Sequence, residues 1–189
     1  EPVFGALKPA AAKLPFRVGY LGAIGPDKGL RYLIEAWGKL ALPGEKAELV
    51  LAGSGTELLG PLISRYADKG TFRLLGRVPD VYGLLQSLSC YVQPSVTESF
   101  GIEILEAMGC GLLVIASNGA GASEVLPDQD WVFPKRDVDA LAGLIEHAYH
   151  HPESLELFGL RNWEASRRFA WPVIEKRYVE LWEGMHGKE

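Results

Sequence analysis

Cysteine is nearly absent: two residues, Cys90 and Cys110, stand in a chain of 189. Two thiols cannot build a disulfide scaffold, and their apolar surroundings suit small buried hydrophobes in a reducing, cytoplasmic setting. No apolar run reaches the roughly 18 residues that a membrane span requires. Basic excess is missing too, since 19 Lys and Arg face 24 Asp and Glu, for a net charge of −5. A surface that displaces counterions from nucleic-acid phosphates needs the opposite balance, so a nucleic-acid partner is not expected. There is no internal repeat, no low-complexity tract and no Ser-His-Asp or Cys-His constellation. Opening at Glu1 without an initiator Met or a signal-peptide pattern, the sequence reads as a piece of a longer protein.

What is present is an ordinary globular composition, 48% hydrophobic and 23% charged, in a length that suits a single core. Residues 1–15, with three prolines and no sustained period, read as a linker or leading arm, and residues 16–189 as the domain. Short β-rich runs at 16–22, 47–53, 71–76, 90–94, 112–117 and 131–133 alternate with helical patterns. In the first of these, Leu30, Leu33, Ile34, Trp37 and Leu40 recur on one face. Strands apolar on both sides and joined by helices predict a parallel sheet covered on each face, the doubly wound α/β plan, which binds ligands at the carboxyl ends of its strands. The last part changes to helices alone, over 137–150, 152–169 and 171–185, with Pro152 and Pro172 placed to start new ones.

Glycines gather after the strands, in "GAIGPDKG", "GSGTE", "GRVPD", "PSVTESFG" and "SNGAGASE". One such loop is explained by a tight turn; five together make a rim where backbone amides and helix N-termini can approach a phosphate. A dinucleotide fingerprint fails, because Gly53 and Gly55 are followed by Leu58 where GxGxxG needs glycine, and the next strand lacks the acidic residue for a ribose. His147 and His151 stand four apart without further ligands, and His186 lies near the terminus, so no metal is expected.

Two carboxylates remain to be explained, Glu98 and Glu106 in the otherwise apolar "PSVTESFGIEILEAMGCG". Glu98 falls just before a helix expected to start near Phe100, whose first amides, those of Phe100, Gly101 and Ile102, can face a phosphate. Glu106 lies about two turns in, and its two oxygens match the paired hydroxyls of a ribose. The plain alternative is a helix-face carboxylate paired with a base. With "ASNGAGASEVL" behind it, this stretch resembles the E-x7-E signature of the group 1 glycosyl transferases, a retaining family with the two-domain GT-B fold. The similarity includes "PDKGLRYLIEAW", "LVLAGSG", "LLGRV", the terminal "FAWPVIEKRYVELW" and, weakly, the leading "ALKPA".

That resemblance implies a Rossmann-like C-terminal half of a GT-B enzyme, the nucleotide-sugar (donor) domain, with the N-terminal acceptor domain outside this chain. The substrate would be a nucleoside diphosphate sugar, transferred to an acceptor hydroxyl with retention and without a bound metal or other cofactor. Lys28 and helix-end amides would stabilise the departing diphosphate, Glu98 would orient the sugar, and Glu106 would hold the ribose. Gly22, Gly53, Gly55, Arg77, Val78, Phe100, Gly101 and Ile102 would complete the donor site, Arg77 and Val78 near the base. The isolated domain would be inactive alone, and any membrane contact, peripheral at the inner face, would fall to the other domain. Glu103 is expected in solvent, and Glu124 in a structural Gly-x-x-Glu corner with Gly121. One departure stands out: the family places Gly-Arg at the end of the first strand, and this chain has Gly22-Ala23. The rivals are a non-catalytic nucleotide- or protein-binding module of the same fold and a nucleotide-sugar hydrolase or epimerase.

Overall fold

The computed structural model describes residues 15–186. The leading arm, including "ALKPA", and the side chain of His186 lie outside the described residues. In chain order the elements are β1 (Phe16–Leu21), α1 (Leu30–Leu40), β2 (Ala47–Ala52), α2 (Gly60–Ile63), β3 (Thr71–Gly76), α3 (Val81–Ser87), β4 (Cys90–Gln93), α4 (Ile102–Gly109), β5 (Leu113–Ser117), β6 (Val132–Phe133), α5 (Val138–His150), α6 (Pro152–Ser166) and α7 (Trp171–His186). The α2 region is one turn of α-helix between two 3-10 turns, Thr56–Leu59 and Ser64–Tyr66.

All six strands run parallel, in the order β3-β2-β1-β4-β5-β6. Because successive side chains point to opposite faces, each central strand feeds two cores. Val18, Tyr20, Leu49, Leu51, Cys90, Val92, Leu113 and Ile115 pack beneath α1 and α5, against Leu33, Ile34, Trp37, Leu141 and Ile145. Val50, Tyr91, Val114 and Ala116 pack on the other face against Leu85 of α3 and Ile104 and Met108 of α4. This two-sided burial produces the unbroken apolar runs of the strands, and it is the doubly wound α/β plan. Helix α6 is tied to the sheet by Asn162, whose Nδ2 donates to the Leu112 carbonyl at 2.9 Å. Helix α7 leaves Trp171, Tyr178, Leu181, Trp182 and Met185 exposed. Among the described residues no helix is long and apolar enough to cross a membrane.

The strand order reverses between β1 and β4, which are neighbours in the sheet but not in sequence. Chains leaving a parallel sheet on either side of such a point diverge and open a crevice at the carboxyl rim. Next to that crevice the rim is stitched by backbone hydrogen bonds, Gly22 donating to Ala52 at 3.0 Å and Gly53 to Gly76 at 2.6 Å. Gly53 has φ 139°, and a Cβ on it would stand 1.8 Å from the Gly22 carbonyl oxygen.

Gly53→Ala should therefore lower the denaturant midpoint sharply, by at least about 2 kcal/mol at unchanged slope, since neither backbone can yield. Gly143→Ala, in mid-α5 with nothing within 4 Å of the added methyl, should raise stability by about 0.5–1 kcal/mol. Equal midpoints for the two variants would contradict the packing at the rim.

Candidate active site

Lys28 ends a 3-10 turn, Pro26–Lys28, on the β1 side of the crevice; Glu98 sits in the β4–α4 loop on the other. Their side chains form an ion pair, both partly buried. Three loops are locked together to hold it. Val96 donates to the Asp27 carbonyl at 2.7 Å, joining the β4 loop to the β1 loop. Glu98 donates to Gly119 at 2.9 Å, Gly121 to Glu98 at 3.1 Å and Ala122 to Phe100 at 2.7 Å, joining it to the loop after β5. Glu98 and Ala120 thus make a parallel bridge beyond the sheet proper. The contact distances leave no room for side chains: a Cβ on Gly29 would lie 1.8 Å from the Pro94 oxygen, and one on Gly121 2.3 Å from the Ser99 oxygen.

Helix α4 begins at Ile102 rather than near Phe100. Gly101, at φ 91°, caps it, while the Phe100 carbonyl is held by Ala122, so neither residue enters the helix. The amides of Phe100 and Gly101 have no hydrogen-bond partner among the described residues, nor do those of Ile102 and Glu103, the first two of the helix, while Ile104 donates to the Gly101 carbonyl at 3.0 Å. These donors, with the positive end of the helix dipole behind them, face the crevice rim and suit an anion. The Phe100 and Ile102 side chains point to solvent, so their backbone is what the site can use.

Glu106 is half-buried on α4, and its carboxyl is raised above the usual carboxylate range by burial and, second, by the neighbouring charge of Glu103. No ion pair compensates it among the described residues. The base that the plain alternative requires is not paired with Glu106 among the described residues. Cys110, near the end of the same helix, is pushed up to about 11 by burial and by Glu106. A buried polar chain lies behind the site: the Tyr91 hydroxyl donates to Leu21 at 3.2 Å and also meets Gln93 Oε1, and Gln93 Nε2 donates to Ser95 Oγ at 3.0 Å. Ser117 Oγ in turn donates to the Ser95 carbonyl.

The expected site residues are therefore mostly gathered. Gly22 follows β1 beside Ala23, which is exposed and whose carbonyl accepts from Tyr20 Oη at 2.9 Å. Gly55 opens the 3-10 turn after β2, with Ile24 donating to Ser54 across the gap at 2.9 Å. Arg77 and half-buried Val78 follow β3, the edge strand, two strand spacings or about 10 Å from β1. Arg77 is exposed and touches none of the other site residues through a hydrogen bond or ion pair among the described residues. Glu124 is exposed on the 3-10 turn Gly121–Val125, and Gly121 is the member of that corner with a packing role. His147 and His151 stack at 4.3 Å on the α5–α6 junction, away from the rim. Among the described residues no group of three or more His, Cys, Asp or Glu side chains is arranged to hold a metal ion.

Glu103 differs from expectation. It is half-buried rather than solvated, with Oε1 3.6 Å from where a Gly22 Cβ would stand, and its charge helps burial raise the Tyr20 and Tyr91 hydroxyls. No sequence signal marked it, because the neighbour that matters is the side-chain-free Gly22 on another strand.

A family model described as glycosyl transferases group 1 matches residues 15–151. The O-antigen chain mannosyltransferase B of Escherichia coli is 34% identical over 158 residues, covering 80% of this chain and 42% of that protein. The phosphatidylinositol N-acetylglucosaminyltransferase GPI3 subunit of Saccharomyces cerevisiae is 27% identical, covering 86% of this chain and 37% of its own. The chain thus spans about two-fifths of the curated relatives it matches. Among solved structures, Anabaena HepE in complex with UDP superposes with a TM-score of 0.80 at 24% identity over 89% of this chain and 49% of that one. Sucrose-phosphate synthase from Thermosynechococcus elongatus gives 0.79 at 26%, covering 94% and 47%. These neighbours have the GT-B fold, and the six-stranded sheet with its C-terminal helices corresponds to about half of it.

The raised carboxyl of Glu106 carries a stability consequence. Its folded pKa lies above the unfolded one, so the ionised group disfavours the fold; that penalty is absent below the unfolded pKa and complete once pH exceeds the folded one. Glu106→Gln should melt with wild type in acid and above it at neutral pH, the gap opening as pH rises through the carboxyl range. A constant gap across pH 3 to 8 would show that burial does not strain this group.

Proposed function

This chain belongs to the glycosyl transferases group 1 family, and on that footing we propose that it binds the nucleoside diphosphate sugar from which a retaining transferase moves a hexose to an acceptor hydroxyl. The observation that carries the reading is the Lys28–Glu98 pair astride the β1/β4 crevice, beside the open N-terminus of α4. In the absence of ligand the pair neutralises itself. A diphosphate seated against the α4 amides would draw the Lys28 ammonium to its oxygens and free Glu98 to accept from the sugar's hydroxyls. Glu106 would accept from the ribose, which explains why a carboxylate is kept there at the expense of stability, and the rim from Gly53 to Val78 would face the base.

When the glycosidic C–O bond breaks, the bonding electrons pass to the departing diphosphate. The fixed amides and Lys28 meet that charge as it grows, which lowers the barrier without a bound metal. The acceptor hydroxyl would lose its proton to a diphosphate oxygen on the same face, giving retention. Residues beyond this chain would bring the acceptor, so this chain alone would bind donor without turnover. The protein would work in the cytoplasm, with membrane contact left to the rest of the whole protein. A non-catalytic nucleotide-binding module is the second reading, favoured by Ala23 in place of an arginine.

Calorimetry tests the assignment. Glu106→Ala should weaken a nucleoside diphosphate by about 1.5–3 kcal/mol, tenfold to a hundredfold, with the fold intact. Glu98→Ala should release Lys28 from its pair, so that the bare diphosphate binds at least as tightly as to wild type, and should remove the extra affinity contributed by the sugar. Unchanged affinities in both variants would refute the donor site.

Ala23→Arg should restore a fixed cation at the exposed end of β1. Set against an ordering cost of up to about 2 kcal/mol, a gain near tenfold in diphosphate affinity is expected, shrinking as salt is raised. Equal or weaker binding by the folded variant at low salt would place the phosphates elsewhere.

A further inference from the structure

Glu103 stands where the donor's charge would arrive. It lies on the first turn of α4, and its Oε1 approaches the Gly22 Cβ position to 3.6 Å, a point 2.8 Å from the Tyr20 hydroxyl oxygen. Tyr20 on β1, Tyr91 on β4 and Glu106 on its own helix share this corner, and each is pushed up partly by the Glu103 charge. Lys28 is engaged by Glu98, and no lysine, arginine or histidine pairs with Glu103 among the described residues. Its compensation is the positive end of α4. The side chain is thus an internal anion between the end of β1 and the helix end that suits a phosphate.

We propose that Glu103 is an affinity-determining residue of the site, which opposes the phosphate charge of its ligand and thereby favours the sugar-bearing donor over the bare diphosphate product. The inference rests on the donor-binding reading above. A nucleoside diphosphate sugar carries two phosphate charges, one on each phosphoryl group; when the glycosidic bond breaks, the leaving oxygen keeps the electron pair and the diphosphate gains up to one more. A carboxylate held close to that oxygen disfavours the product more than the donor. It speeds release of the product after transfer, at the expense of overall affinity. The missing arginine at position 23 acts in the same direction, so the rim binds diphosphate weakly for two independent reasons.

The test is calorimetry on this chain with uridine, UDP and UDP-glucose, repeated with guanosine, GDP and GDP-mannose, for wild type and Glu103→Gln. With the base that binds, Glu103→Gln should tighten the diphosphate roughly three- to tenfold, the sugar-bearing form less, and the nucleoside not at all. The gain should fade toward 1 M salt, where screening acts over about 3 Å. Glu103→Ala should give the same order of effects, which guards against a folding defect in one variant. Identical diphosphate affinities in wild type and both variants would overturn the proposal, as would an equal gain for nucleoside and diphosphate, which marks a packing effect. If Glu106→Ala loses binding while the Glu103 variants match wild type, the donor reading stands and this inference alone fails; if no nucleotide binds any form, both fall.

Discussion

Backbone resting directly on backbone, at the carboxyl ends of β1, β4 and β5, is the constraint on which the site depends. Side chains normally keep neighbouring loops several ångströms apart. Here Gly29 against Pro94 and Gly121 against Ser99 remove that spacing, and the amides of Val96, Glu98, Gly121 and Ala122 find acceptors in loops from other strands. Lys28 and Glu98 meet because their loops have been brought together, and the start of α4 is deferred to Ile102 because Phe100 is held by Ala122. A site built this way is ordered before its ligand arrives, so less of the binding free energy is lost in ordering it.

The charges on that platform are arranged with little neutral reserve. One lysine and three glutamates share the crevice, and of these four only Lys28 and Glu98 form an ion pair with each other. Glu106 stays half-buried with its carboxyl pushed up, and perturbed groups of this kind gather at functional sites. Tyr20 and Tyr91, raised by burial and then by the same carboxylates, remain hydrogen-bond donors to backbone carbonyls and fix the carboxyl end of β1. The helix end alone offsets Glu103, so the electrostatics of the rim lean negative before any ligand enters.

Much of this could be read from the amino acids, because the relevant forces are local. Strands buried on two faces show as unbroken apolar runs, and all six appear within a residue or so of their expected bounds, even the two-residue β6. The last two helices begin where Pro152 and the residue before Pro172 place them, although residues 167–169 tighten to a 3-10 turn. Glu98 and Glu106 stood out as carboxylates in an apolar run. The strand order was not legible, since periodicity says nothing of which strand lies beside which, and with it the position of the crevice. Glu103 was misplaced for the same reason: what surrounds it is Gly22, Tyr20 and Tyr91, brought there by the sheet. The helix start was set two residues early because Gly101 and Phe100 answer to another loop.

The bridge between Glu98 and Ala120 extends strand-like pairing past the last residues of β4 and β5. Those loops consequently lack the independence of ordinary surface loops. The amides of Glu98, Gly121 and Ala122 are guarded by partners that move only when neighbouring strands separate, so their exchange with solvent water requires opening of the sheet's own cooperative unit, and this part of the rim and the core share one lifetime.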